Sequence, residues 1–369
     1  MGLNCGIVGL PNVGKSTLFS AITSAPAEAA NYPFCTIEPN VGIVAVADPR
    51  MKKICELVGP EKEVPTIVEF VDIAGLVKGA SKGEGLGNQF LGHIRAVNAI
   101  VHVVRCFEDG DVIHVHGKVN PADDIETINL ELAYADLEVV EKKIANLPKF
   151  MKSQDKNISG KAKIQEPILH NVKAELEKGI AARNIDLSKE DKAEIAELNL
   201  ITMKPVLYLC NVDEAGLLED NAHVKAVYEL AKKEGSEAMK ICGKLESEIA
   251  ALETEEEKKE FMEAAGIEAS GLSVLTKKAY DMLGLKTYFT AGVKECRAWT
   301  FEDGMKAPQC AGIIHSDFER GFIKAEVYHY EDLVQYGTEA KVKEAGKFRV
   351  EGKEYVVKDG DIMHFRFNV

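Results

Sequence analysis

Gly9-Leu10-Pro11-Asn12-Val13-Gly14-Lys15-Ser16 is a complete G-x-x-x-x-G-K-[ST] loop, and its flanks decide the fold. An apolar run, Leu3 to Val8, leads into it, and Thr17-Leu18-Phe19-Ser20-Ala21-Ile22 continues it with helical character. A strand that delivers such a loop to a helix N-terminus turns successive backbone N–H groups toward phosphate oxygens. The glycines permit the turn, and the helix adds the positive end of its dipole. The expected cradle is Asn12, Val13, Gly14, Lys15, Ser16 and Thr17. Lys15 also reaches the β- and γ-phosphates as the catalytic cation, and the Ser16 hydroxyl ligates Mg²⁺. The implied ligand is a nucleoside triphosphate.

Outward from the loop, β-rich apolar runs recur at 43–46, 67–71, 99–104 and 205–209, with a helical pattern at 87–97. Strands alternating with helices predict a largely parallel sheet covered on both faces. From about 121 to 200 the pattern turns helical and charged. Apolar residues at three- and four-residue spacing in 126–147 and 165–183 predict two long helices, an antiparallel hairpin inserted into the nucleotide domain. Lys142, Lys143, Lys149, Lys152, Lys156, Lys161 and Lys163 face one acid there, Asp155. That stretch is either a solvated tip or a phosphate-seeking patch. After Leu285 the texture changes to short β-like segments (296–301, 323–327, 347–350, 355–357 and 362–367) broken by Gly352-Lys353 and Asp359-Gly360 turns. The expected division is a nucleotide domain over 1–283, carrying the insertion, and a small β-rich domain over 284–367.

Three further elements separate the kinds of nucleotide hydrolase. Asp72-Ile73-Ala74-Gly75 follows the 67–71 strand as D-x-x-G, where Asp72 supports Mg²⁺ through water and the Gly75 N–H senses the γ-phosphate. Between the two phosphate elements, the Pro-bracketed loop 31–40 contains Thr36, the expected second protein ligand to Mg²⁺. Leu76 stands where a water-orienting Gln would follow, so slow intrinsic turnover is expected. Asn12 is a candidate ligand for a monovalent cation, K⁺, that would take the place of an arginine finger. His93 and Arg105 are weaker candidates, each better explained structurally.

The base-reading element departs from the guanine pattern N-K-x-D. After the 205–209 strand the chain reads Asn211-Val212-Asp213-Glu214. Glu214 sets its carboxylate about 1.5 Å further out than an Asp would, which spoils a bidentate pair to guanine N1–H and N2–H₂. The loss is roughly 3 kcal/mol, about a hundredfold in guanine preference. Val212 replaces the Lys whose stem lies along the base and suits the apolar face of adenine. Asn211, Val212 and Glu214 are therefore expected to frame the base, with Phe107 packing near it. The geometry points away from GTP and permits ATP.

A net charge of −14 opposes indiscriminate binding to DNA or to an anionic membrane, so any RNA contact must come from a local basic surface. Eight scattered cysteines without a C-x-x-C pair predict a reducing compartment. No apolar stretch approaches the roughly 18 residues that span a bilayer. The first strand opens the sequence, so no secretory peptide is expected, and a cytoplasmic protein is.

Taken together, Gly9–Ser16, Asp72–Gly75, Gly83–Phe90, Asn211–Glu214, Tyr288–Trp299 and Asp359–Val369 resemble the Obg-related GTPase lineage, and within it the Obg-like ATPases of the YchF type. The resemblance covers the whole chain. It implies a Ras-like P-loop domain of α/β class, with a helical coiled-coil insertion and a C-terminal β-grasp (TGS) domain. It also implies an N-x-x-E base motif, ATP preferred over GTP, and a hydrophobic residue in place of the catalytic Gln. Binding to the ribosome or a ribosomal subunit, with the insertion and TGS domain touching RNA or protein, is expected on the resemblance alone. Two rivals remain: a GTPase of the Obg class, and a non-enzymatic ATP-gated binding protein.

Overall fold

The computed structural model describes residues 3–24, 40–73, 86–110, 114–115 and 117–368, without the side chains of 86–88. The described residues form two compact units. One takes 3–43 and 69–272, the other 44–68 and 273–368, apart from the stretches outside the description.

In the first unit, strands β1 (Asn4–Val8), β2 (Val41–Ala45), β4 (Ile67–Asp72), β5 (Ala99–Arg105), β6 (Val206–Asn211) and β7 (Glu237–Ile241) form a sheet of order β2-β4-β1-β5-β6-β7. The pairs β1–β4, β1–β5, β5–β6 and β6–β7 are all parallel. Every residue of β5 and β6 is buried, as expected of central strands covered on both faces. The helices are α1 (Lys15–Ser24), α3 (Leu86–Ala96), α4 (Pro121–Met151), α5 (Lys156–Glu177), α6 (Lys189–Ile195), α7 (Glu214–Leu218), α8 (Ala222–Glu234), α9 (Gly243–Ala250), α10 (Glu255–Ala264) and α11 (Gly271–Met282), the last crossing into the second unit. The parallel order brings the ends of β1, β5, β6 and β7 to one edge, where such sheets hold their ligands.

Both helices of the inserted hairpin start earlier than their periodicity indicated, and the second ends at Glu177, short of the expected 183. α4 starts at Pro121, whose fixed φ suits a first helical turn, and runs through Pro148. Only residues 152–155 separate it from α5, where Asp155 caps by accepting from the Asn157 N–H at 2.8 Å. Val140, Leu147, Ala162, Leu169, Val172 and Leu176 form the seam. At its base, buried Asp136 accepts from the Ile201 N–H (2.9 Å), the Thr202 N–H (2.7 Å) and the Thr202 hydroxyl (2.7 Å), anchoring the turn before β6. Lys204 Nζ donates to the Arg95 and Val97 carbonyls at 3.1 and 2.7 Å, and Asn199 Nδ2 to that of Arg95 at 2.9 Å. The Arg95 carbonyl in the last turn of α3 and the Val97 carbonyl just beyond it are thus satisfied from the segment that leads into β6.

The second unit is a mixed sheet of order β11-β10-β12-β8-β9-β3, from β3 (Glu63–Val64), β8 (Leu285–Ala291), β9 (Cys296–Glu302), β10 (Phe322–His329), β11 (Arg349–Glu351) and β12 (Asp361–Phe367). β8 is parallel to β12 and antiparallel to β9, in keeping with the β-grasp class. Its helices are α2 (Pro49–Val58), α12 (Ala307–Ile314), α13 (Ser316–Arg320), α14 (Tyr330–Tyr336) and α15 (Glu339–Glu344). One predicted strand is corrected: 355–357 makes only a single bridge, Val356 to Lys306.

Residues 44–68, from the last residues of β2 to the first of β4, precede the D-x-x-G element in the chain yet group with this second unit. β3 pairs with β9, and Met51, Ile54 and Cys55 of α2 pack into the core of Phe289, Tyr328 and Leu333. Arg50 holds Asp48 and Asp359 at 2.8 Å each and lies over the Phe289 ring at 5.4 Å. Among the described residues no helix is long and apolar enough to cross a membrane, and no three His, Cys, Asp or Glu side chains gather as a metal cluster. Cys5, Cys55, Cys106, Cys210, Cys242, Cys296 and Cys310 are buried free thiols.

Candidate nucleotide site

The loop between β1 and α1 has the backbone that phosphate binding requires. Asn12 adopts φ 62° and Gly14 φ 95°, left-handed geometry that Asn tolerates and Gly adopts freely. A Cβ on Gly14 would stand 2.1 Å from Asn211 Nδ2, so side-chain bulk is excluded there as well. The first ladder bond of α1 runs from the Leu18 N–H to the Gly14 carbonyl at 3.0 Å. The Lys15, Ser16 and Thr17 N–H groups precede it and have no partner within the helix, a ready anion site.

Lys15 Nζ folds back onto the Gly9 and Leu10 carbonyls at 2.9 and 2.8 Å. Burial lowers its pKa, and the negative charge of Asp72 opposes that shift. The converse holds for Asp72, whose pKa burial raises while Lys15 pulls it down. Asp72 Oδ1 is buried without a hydrogen-bond partner among the described residues. A hard cation or its bound water would satisfy that oxygen, so the position fits Mg²⁺.

A cavity of about 580 Å³ opens beside the loop. Its walls combine Asn12 and Gly14 to Thr17 with Phe107 to Asp109, Asn211 to Ala215, Cys242 and Lys244. Of the expected residues, Asn12, Gly14, Lys15, Ser16, Thr17, Phe107, Asn211, Val212 and Glu214 come together here. Val13 is buried behind the loop. Thr36, Gly75 and Leu76 lie outside the described residues. His93 is exposed on α3, and Arg105 is buried at the end of β5.

The base-side residues divide their labour. Asn211 is a brace: its Nδ2 donates to the Val13 carbonyl at 2.9 Å, and its Oδ1 accepts from the Gly243 N–H at 3.0 Å. Asp213 caps α7 by accepting from the Gly216 N–H at 2.8 Å, which occupies one of its carboxylate oxygens locally. Val212 is buried with a face on the cavity. Glu214 is largely exposed and accepts from Lys244 Nζ at 3.1 Å across the opening. Glu108, Asp109 and Ala215 were not singled out in the sequence, and their only signal is position, directly after β5 and β6. Cys242 and Lys244 belong to 241–244, read from its place before a helix as a third, weakly signalled base-side loop.

Comparison with known proteins agrees with this arrangement. A profile described as "50S ribosome-binding GTPase" matches residues 4–143, and the YchF-GTPase C-terminal profile, described as a protein of unknown function, matches residues 285–368. The chain is 59% identical to the ribosome-binding ATPase YchF of Bacillus subtilis (strain 168), with 100% of both chains covered. It is 55% identical to the ribosome-binding ATPase YchF of Escherichia coli O157:H7, again over 100% of both. The solved structure of the Schizosaccharomyces pombe YchF GTPase superposes with a TM-score of 0.89 at 40% identity, covering 99% of this chain and 98% of that one. The chain belongs to the YchF family of P-loop nucleotide hydrolases.

Proposed function

We infer that this chain is an ATP hydrolase that binds the ribosome and prefers ATP to GTP. Relatives identical at more than half of their positions carry the name ribosome-binding ATPase. One observation in the site carries the base preference: the carboxylate at the guanine-reading position, Glu214, is one methylene too long and already has one oxygen on Lys244. Guanine needs a carboxylate that accepts two parallel N–H bonds, whereas adenine presents one amino donor and an apolar face to Val212 and Phe107.

On the phosphate side, Lys15 and the N–H groups of the first turn of α1 hold the β- and γ-phosphates, and Lys15 leaves its two loop carbonyls to do so. Ser16, Thr36 and, through water, Asp72 are the residues that would hold Mg²⁺, which when bound draws charge from the phosphate oxygens. Gly75 is assigned the γ-phosphate contact. With Leu76 in place of a water-orienting group, hydrolysis is slow, and Asn12 is the proposed protein ligand for a K⁺ that compensates. RNA contact is proposed for the C-terminal unit and for the hairpin tip. Lys142 and Lys143 there are paired with Glu138 and Glu197, and Lys161 with Glu197, which leaves Lys149, Lys152, Lys156 and Lys163 without an ion pair among the described residues. Equilibrium titration with ATP and GTP in Mg²⁺ tests the assignment: ATP tighter by at least about tenfold supports it, and equal or reversed affinities overturn it.

A further inference from the structure

We propose that Arg105 is the positioning residue of the base subsite, holding Phe107 as the wall against which the adenine ring lies. The proposal rests on the base occupying the cavity described above. Arg105 ends β5 and is 1% exposed, a guanidinium buried beside a turn whose next three residues, Phe107 to Asp109, line the cavity. Its Nε donates to the Phe107 carbonyl and its Nη2 to the Asp109 carbonyl, both at 3.2 Å. The guanidinium carbon also lies 4.6 Å from the centroid of the Phe107 ring. One side chain therefore fixes both the backbone and the ring of the same residue.

The surrounding contacts leave that turn little freedom. The Cys106 N–H donates to the Asn211 carbonyl at 2.8 Å, and Asn221 Nδ2 donates to the Cys106 carbonyl at 2.8 Å. The chain is pinned just before Phe107 by β6 and the start of α8, and from Phe107 onward by Arg105. A planar fork suits this task, since it donates along two directions while presenting a flat cationic face to a ring. A lysine ammonium, a point donor, does not combine the two. Phe107 is half-buried in an otherwise exposed turn. Without the guanidinium its ring would sample several rotamers, and each would have to be ordered again when a base stacked on it. An aromatic wall prepared in advance stabilises a stacked base without that entropic cost.

A binding cycle on the full-length protein separates this role from simple folding of the turn. Wild type, Arg105→Met, Phe107→Ala and the double variant are titrated calorimetrically with Mg²⁺-ATP and with Mg²⁺ and inorganic tripolyphosphate, which reports the phosphate subsite alone. Each single variant is expected to weaken ATP about tenfold and to leave tripolyphosphate within about twofold, while the double variant is no weaker than Phe107→Ala. The proposal is overturned if Arg105→Met binds ATP normally, if the two losses multiply, or if tripolyphosphate weakens in proportion. If Phe107→Ala itself leaves ATP binding unchanged, the placement of the base fails first. Where Arg105→Met does not fold, Arg105→Lys replaces it in the same cycle, with a loss confined to ATP expected and an undiminished ATP affinity contradicting the role.

Discussion

Asn211 and Val13 lie 198 positions apart in the chain, yet the Asn211 amide donates to the Val13 carbonyl at 2.9 Å, inside the phosphate loop. The same carboxamide accepts from the Gly243 N–H, so one buried side chain holds three loops in register. Asn211→Ala leaves a carbonyl and an N–H buried without their partner, a cost of about 1–3 kcal/mol for such a group. Affinity for ATP and GTP should fall together, because the brace shapes the cavity and does not discriminate the base. Thermal melts and parallel titrations check both effects; a loss confined to one nucleotide contradicts the brace.

Gly14→Ala should be more selective. The added Cβ would meet Asn211 Nδ2 at 2.1 Å in a backbone with φ 95°. The conflict involves the phosphate loop and its brace, so nucleotide binding should fall at least about tenfold with only a modest drop in melting temperature. Retained binding would show that the loop relaxes without cost.

Asp72→Asn removes the charge that fits a divalent cation while keeping the shape. The Mg²⁺ concentration for half-maximal hydrolysis should rise by about tenfold or more, with ADP binding in EDTA little altered. An unchanged Mg²⁺ dependence would remove Asp72 from the metal's surroundings.

Glu197 supplies the acid limb of stability in the hairpin. It accepts from Lys143 Nζ at 2.7 Å, Lys161 Nζ at 2.6 Å and Gln165 Nε2 at 3.2 Å, and the lysine bonds hold its pKa down to about 2. A carboxyl depressed in the folded state contributes stability above its unfolded pKa of about 4.3, and loses that contribution as pH falls toward the folded value. The gap in denaturant midpoint between wild type and Glu197→Gln should therefore be widest above about pH 5 and narrow below about pH 4. A gap independent of pH contradicts the ion-pair origin.

The nucleotide unit was legible because local chemistry and tertiary role coincide there. The apolar runs at 99–104 and 206–209 are buried on both faces, and the glycines and Lys15 of the phosphate loop act where they stand in the chain. What stayed hidden depends on distant partners. The reach of Asn211 to Val13 and Gly243 and the pairing of Glu214 with Lys244 join positions that no periodicity connects, and the clamp of Arg105 on Phe107, though local, follows from the turn after β5 and not from a motif. Residues 44–68 read as part of the nucleotide domain because they lie between its motifs, whereas the apolar face of α2 finds its complement near Phe289 and Leu333. In the C-terminal unit, helices of five to eight residues such as α13 and α12 are too short to show a period against the β-like background.

The most direct test of the base assignment is one competition experiment on two proteins. Fluorescent ATP and GTP analogues are titrated in Mg²⁺ against wild type and Val212→Lys/Glu214→Asp. Wild type should favour ATP by at least about tenfold, and the double variant should reverse that order, because the shortened carboxylate regains the bidentate pair and the lysine stem lies along the base. A wild type that favours GTP, or a double variant whose preference does not move, contradicts the assignment of base selectivity to Val212 and Glu214.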